Sequence, residues 1–283
     1  MAAADIRETL LELAVWMGMD RGQVAEFVRQ APPDEARAAL KDLLTPLVRD
    51  PPERVLQLMD RVLGAELQAM PVTSPRALLP HPDAKAVVWQ GDITTLRVDA
   101  IVNAANSDML GCFRRNHPCI DNAIHNRAGP RLRAHLRPLM AAQGHPEPTG
   151  SARLTPGFML PSGHILHTVG PIVQRLIDGC PPEAQARQLA GCYESCLDLA
   201  WASGLRSVAF CCISTGVFGY PQEAAAHVAL STVRRWLAVP AHAEAVDYVV
   251  FNVFLDRDRD IYRRLLPEYF PEGAGPPPRA LCA

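Results

Sequence analysis

From residue 85 onward, short β-branched or aromatic runs alternate with long helical patterns, and this alternation restricts the fold more than any other feature. The runs are Val87–Trp89, Ala100–Val102, Ile165–Val169, Val208–Ile213 and Tyr248–Phe251, and the helical stretches between them are Ile120–Met140, Glu183–Ala202 and Gln222–Leu237. Strands buried on both faces read as unbroken apolar segments, and parallel strands need crossover connections of helical length. An α/β domain with a largely parallel sheet covered on both faces is expected.

The chain upstream reads differently. Leu10, Leu11, Leu13, Ala14 and Trp16 form a helical stripe, and Asp20 can cap a second helix through Val24, Phe27 and Val28. A third runs from Asp34 through Ala38, Leu40, Leu43 and Leu44, and a fourth contains Val55, Leu56, Leu58, Met59, Val62 and Leu63. Prolines at 71, 75, 80 and 82 make residues 71–84 a linker or extended strap. The expected organisation is a helical N-terminal extension over 1–70, that linker, an α/β domain over 85–268 and a disordered tail over 269–283.

Composition removes several function classes. With 28 basic and 30 acidic residues the chain carries a formal charge of −2, which argues against a dedicated nucleic-acid binder. No apolar run reaches 18 residues, and the acidic start Asp5-Ile6-Arg7-Glu8 is unlike a signal peptide, so no membrane partner is expected. Eight cysteines occur, none in the first 111 residues, a distribution that fits a reducing cytoplasm better than a disulfide framework.

Ligands of open parallel sheets bind beyond the carboxyl ends of the strands, and three loops there have unusual content. Asn103-Ala104-Ala105-Asn106 leads into a segment carrying Cys112, His117 and Cys119, two thiols and an imidazole within eight residues. Zinc suits that set, and three protein ligands leave a fourth position for water or substrate. The spacing alone favours loop cysteines beside a polar histidine over a metal site. Ser214-Thr215-Gly216-Val217-Phe218-Gly219-Tyr220-Pro221 follows a strand and precedes a helix, and reads either as a phosphate cradle or as a plain turn. Gly91-Asp92-Ile93 offers a carboxylate that could accept from the amine of a base, or one that satisfies its own backbone. Six arginines (114, 115, 127, 131, 133 and 137) stand against the single acid Asp121 between Cys112 and Arg137. They favour an anionic ligand, with Arg131, Arg133 and Arg137 expected on a solvated helix face. His125 reads as a packing histidine, His167 as core or as a support behind the site, and Cys192, Cys196, Cys211 and Cys212 as small buried hydrophobes.

Taken together and in order, Gly91-Asp92-Ile93, Val98-Asp99-Ala100-Ile101-Val102-Asn103-Ala104-Ala105-Asn106, Ile120-Asp121-Asn122-Ala123-Ile124-His125, His167-Thr168-Val169-Gly170-Pro171 and Ser214–Pro221 resemble a macrodomain over roughly residues 85 to 268. The Cys112–Cys119 segment, in place of a glycine run, resembles the zinc-dependent subgroup of microbial protein-ADP-ribose hydrolases, which also has a helical N-terminal extension. Arg114-Arg115-Asn116 departs from that subgroup, which carries proline there. The resemblance implies a three-layer α/β/α fold with a mixed, largely parallel sheet, and removal of mono-ADP-ribose from proteins. It implies that Asp92 accepts from the adenine amino group beside the Ile93 backbone, that Asn106 holds the distal ribose, and that Ser214, Thr215, Gly216, Val217, Phe218, Gly219 and Tyr220 wrap the diphosphate. Asn252 is placed near the adenine. Cys112, His117 and Cys119 are the implied zinc ligands, with Asp121 and Asn106 the catalytic residues. Sirtuin-type modification of a lipoylated carrier protein is the implied source of substrate. An ADP-ribose reader with a structural zinc and an esterase of O-acyl-ADP-ribose are the alternatives.

Overall fold

The computed structural model describes residues 2–177 and 179–271, and the chain forms two compact units. Much of the expected tail, 272–283, lies outside the described residues, as does Cys282.

The first unit contains the described residues up to Pro71 together with Leu110–Gly144 and Gly157–Leu160. Its helices are α1 (Ala2–Trp16), α2 (Arg21–Gln30), α3 (Pro33–Leu44), α4 (Glu53–Ala69), α5 (Ile120–Ala128) and α6 (Pro130–Gln143). The local sequence explains their limits. Asp20 caps α2 by accepting from the Gln23 amide at 2.8 Å, and Pro33 opens α3, where a missing N–H costs nothing. The apolar spacing of α4 (55, 56, 58, 59, 62, 63) gives one buried face. From it Val55, Met59, Val62 and Leu63 join Leu10, Leu13, Val24, Val28, Ala36 and Leu40 in one core.

The single helix expected over Ile120–Met140 is two. Gly129 breaks it with φ +92°, a conformation that excludes most side chains, and Pro130 starts the next helix. A Cβ at Gly129 would also lie 2.6 Å from Leu63 Cδ1. The expected solvated arginine face on α6 is a second correction. Arg131 pairs with Glu53 (2.7 Å) and Asp60 (2.6 Å), Arg137 with Asp50 (3.1 Å), and Arg133 donates to backbone carbonyls. Their partners come from 71 to 89 residues upstream, or from the neighbouring loop in the case of Leu110.

The second unit holds Val72–Met109, His145–Pro156 and the described residues from Pro161 onward. It carries β1 (Ala86–Gln90), β2 (Ala100–Ala105), β3 (Ala152–Pro156), β4 (His164–Val169), β5 (Ser207–Phe210) and β6 (Tyr248–Val253), with α7 (Glu183–Ala202), α8 (Gln222–Leu237), α9 (Pro240–Ala245) and α10 (Asp256–Tyr269). The six strands form one sheet in the order β1-β6-β5-β2-β4-β3, all parallel except the β3–β4 pair. The α/β class and the mixed, largely parallel sheet are as expected.

Several details differ. The strand expected to run to Ile213 ends at Phe210, because the chain turns out of the ladder toward the left-handed Ser214 (φ +64°). The strap is ordered: Thr73 forms a parallel bridge to Leu96, and a 3-10 turn covers Pro75–Leu78. Tyr269, expected in the disordered tail, is the buried last residue of α10, and its hydroxyl lies 2.7 Å from His227 Nδ1. Buried Asn103 and Thr155 flank His167 at 3.2 and 3.0 Å, so that histidine is core, as expected. No described helix is long and apolar enough to cross a membrane.

Candidate functional site

In the first unit, Gly111 begins the loop that leads into α5. Its φ of +83° is left-handed, and a Cβ there would lie 2.8 Å from the His125 ring, so only glycine fits. The loop then folds on itself: the His117 amide donates to the Arg114 carbonyl (3.3 Å) and the Cys119 amide to the His117 carbonyl (2.9 Å). Asn122, buried on α5, donates through Nδ2 to both of those carbonyls, Arg114 at 2.8 Å and His117 at 3.1 Å. Cys119 caps α5, its Sγ accepting from the Asn122 amide at 3.4 Å.

These constraints bring one donor atom each of Cys112, His117 and Cys119 within 4.8 Å of one another, all three residues half-buried. Cys112 Sγ lies 3.8 Å from His117 Nδ1, close to the separation of about 3.6 Å that tetrahedral zinc sets between sulfur and nitrogen ligands. Burial pushes the Cys119 thiol up to about 11; the Asn122 amide opposes this, and the negative charges of Cys112 and Asp121 add to it. A divalent cation reverses that balance by favouring the thiolate. The donor set and its spacing fit zinc.

Asp121 follows in the first turn of α5, 5 % exposed, with Oδ1 3.5 Å from His125 Nε2. A carboxylate is favoured there by the helix dipole. Arg114 and Arg115 are exposed.

The other sequence-predicted residues belong to the second unit, where the parallel strands put the loops after β1, β2, β5 and β6 on one edge of the sheet. Asp92, exposed after β1, accepts through Oδ1 from the Thr94 amide (2.9 Å) and hydroxyl (2.7 Å), so its local, self-satisfying reading is realised at that oxygen. Ile93 beside it is buried. Asn252, opposite Trp89 in β6, donates to the Gly91 carbonyl at 2.9 Å and fixes the same turn. Asn106 closes β2, its Oδ1 accepting from the Asp108 amide at 3.0 Å. Phe254, which sequence reasoning missed, stands at the end of β6 and is 71 % exposed. A lone aromatic just past the carboxyl end of a buried parallel strand is the signal that could have found it.

The loop after β5 is the most unusual. Ser214 holds a left-handed conformation rare for serine, and its buried Oγ has no hydrogen-bond partner among the described residues. The Tyr220 amide returns to the Ser214 carbonyl and that of Gly219 to Gly216, each at 3.0 Å. The amides of Gly216, Val217 and Phe218 between them take no backbone acceptor among the described residues. An orphan hydroxyl and a row of amides without backbone acceptors leave donors that an anion could take up. Gly170 braces it, since a Cβ there would fall 2.1 Å from Ser214 Oγ.

The remaining clustered thiols do not compete for a chemical role. Cys192, Cys196 and Cys211 are buried, and burial pushes Cys192 up to about 11 and Cys211 up to about 12.

Fold and loop placement define an α/β domain of the kind that takes ligands at the carboxyl edge of its sheet. The Macro domain family matches residues 102–229. A Treponema medium protein named protein-ADP-ribose hydrolase is 44 % identical over 239 residues, 82 % of this chain and 88 % of that one. A Staphylococcus aureus (strain MSSA476) protein of the same name is 46 % identical over 213 residues, 75 % of this chain and 77 % of that one. The crystal structure of a Trypanosoma brucei macrodomain in complex with ADP-ribose matches with a TM-score of 0.55 at 33 % identity, covering 79 % of this chain and 94 % of that one. The chain belongs to the macrodomain family, and its fold is consistent with the three-layer α/β/α arrangement plus N-terminal helices.

Proposed function

We propose that this protein is a zinc-dependent hydrolase that removes mono-ADP-ribose from modified proteins. The observation that carries the proposal is the convergence of Cys112, His117 and Cys119 in a chain 44 % identical to a protein named for that hydrolysis. The bare amides from Gly216 to Phe218 and the buried Ser214 hydroxyl supply donors for a diphosphate, with Thr215, Gly219 and Tyr220 completing the loop. Asp92 accepts from the adenine amine beside the Ile93 backbone, Phe254 offers the base a stacking face, and Asn106 holds the distal ribose.

Cys112, His117 and Cys119 would hold zinc, which would supply a Lewis acid for the attacking water. Asp121 orients that water and accepts its proton as the water oxygen bonds to the anomeric carbon. The bond from that carbon to the acceptor side-chain oxygen breaks, and the leaving oxygen takes up the proton that Asp121 accepted. On the family resemblance we assign the substrate to sirtuin-type modification, with a lipoylated carrier protein as one acceptor, and the reaction to the cytoplasm.

The test is release of ADP-ribose from a mono-ADP-ribosylated protein by the metal-loaded enzyme, before and after chelation. Turnover that chelation abolishes and added zinc restores is expected. Binding of ADP-ribose without turnover would identify a reader, faster release of acetate from O-acetyl-ADP-ribose an esterase, and full activity after chelation a metal-independent enzyme.

Gly170→Ala provides an independent test of the diphosphate loop. The added methyl collides with Ser214 Oγ, and the neighbouring Ile213 Cγ2, 2.8 Å away, closes the escape route. ADP-ribose affinity measured by calorimetry falls at least about tenfold, the loss of one charge-assisted hydrogen bond or more. Unchanged affinity would remove this loop from the ligand site.

A further inference from the structure

The N-terminal helices and the cysteine loop meet at one side chain, Arg133 on α6. Arg131 and Arg137 on the same helix pair with carboxylates, but among the described residues the hydrogen bonds of Arg133 all go to backbone carbonyls. Nε donates to Leu110 at 2.7 Å, and one terminal nitrogen is shared among Leu47 (2.9 Å), Leu44 (3.3 Å) and Thr45 (3.3 Å). The guanidinium also sits over the Phe113 ring, 4.4 Å from its centroid. Its partners therefore fall into two groups. Leu110 and Phe113 bracket Gly111 and Cys112, the start of the cysteine loop. Leu44, Thr45 and Leu47 form the carboxyl end of α3 and the turn after it, where carbonyls with spare acceptor capacity and the negative end of the helix dipole attract a cation.

Resting on the zinc reading above, we infer that Arg133 is a positioning residue for the metal loop, anchoring the Cys112 backbone to the carboxyl end of α3 so that the thiol is held near its His117 partner. The His125 ring lies against Gly111, and Asn122 secures the later carbonyls at Arg114 and His117. Arg133 holds the chain on either side of Cys112, at the Leu110 carbonyl and at the Phe113 ring. The planar fork is necessary because the two carbonyl sets lie on different sides of the guanidinium; a lysine ammonium, a point charge on a flexible stem, cannot keep both and also stack on Phe113. The helical extension thereby acquires a chemical role: it supplies the fixed acceptors against which the metal loop is set.

The experiment uses the full chain and reads metal binding directly, by cobalt(II) titration of the thiolate-to-cobalt absorption and by zinc competition with a chromophoric chelator. Arg133→Met weakens zinc by roughly tenfold to a hundredfold, the range for residues that orient metal ligands through a second layer of contacts. Arg133→Lys recovers only part of that loss, and Phe113→Ala, which removes one stacking contact, weakens zinc about two- to fivefold. ADP-ribose affinity, whose candidate residues lie in the other unit, stays at the wild-type value in all three and controls for folding. A wild-type chain without a thiolate-to-cobalt band overturns the zinc reading itself. Wild-type binding matched by Arg133→Lys and Phe113→Ala overturns the role of Arg133 alone and leaves the zinc reading standing. If Arg133→Met does not fold, these two variants decide the question.

Discussion

Cys119→Ser lowers turnover on ADP-ribosylated protein by about a thousandfold or more, while ADP-ribose affinity stays within about twofold of wild type. Cys119 has two jobs that serine separates. Its sulfur caps α5 by accepting from the Asn122 amide at 3.4 Å, and it is one of three donors converging with Cys112 and His117. Serine is among the preferred helix caps, so the first job survives, but a neutral hydroxyl is a far poorer zinc ligand than a thiolate, so the second is lost. Cys119→Ala loses both and melts lower than Cys119→Ser by an amount equivalent to about 1 kcal/mol. Turnover, elemental analysis and melting of the two variants together make the comparison. A serine variant that kept full metal and full rate would take Cys119 out of the metal site. One that lost ADP-ribose affinity in step with turnover would show that the substitution disturbs more than the metal.

The legible parts of this chain are those whose physics is local. Parallel strands buried on both faces had to be continuous apolar runs, so β2, β4, β5 and β6 stood out to within a few residues, and β1 did so through Val87-Val88-Trp89 although it lies at an edge. The donors at 112, 117 and 119 were visible as a set because a single loop carries them all. The edge strand β3, Ala-Arg-Leu-Thr-Pro, has one covered ladder and a closing proline, so it shows no such run. Helix α10 hid behind its charges, although Ile261, Tyr262, Leu265 and Tyr269 give it a buried stripe. The break between α5 and α6 was readable in Ala128-Gly129-Pro130, a helix-stopping glycine followed by a helix-starting proline. The role of Arg133 was not, because its acceptors are backbone carbonyls up to 89 residues away, which carry no signature in side-chain identity. Nor was the strain at Ser214, which arises from the path of the loop after β5 and could not be read from the residue.

Asp121→Asn lowers kcat by about 10² to 10⁴ with KM changed only a few-fold. Asparagine has the shape of aspartate and can still face His125 Nε2, 3.5 Å from the native Oδ1, but it carries no charge and accepts no proton from water. An interaction needed only as the anomeric carbon becomes electron-poor appears in kcat, whereas one used to hold the nucleotide appears in KM. The competing role for Asp121 is electrostatic support of the thiols and the α5 terminus, since its charge acts on Cys119. Cobalt(II) binding separates the two. A variant with the wild-type absorption and affinity but a collapsed kcat assigns Asp121 to the water. A variant that loses metal and rate in the same proportion assigns it to the cluster, and the general base must then be sought elsewhere on the chain. Asp121 is itself buried, so bulk solvent has little access to replace the missing base.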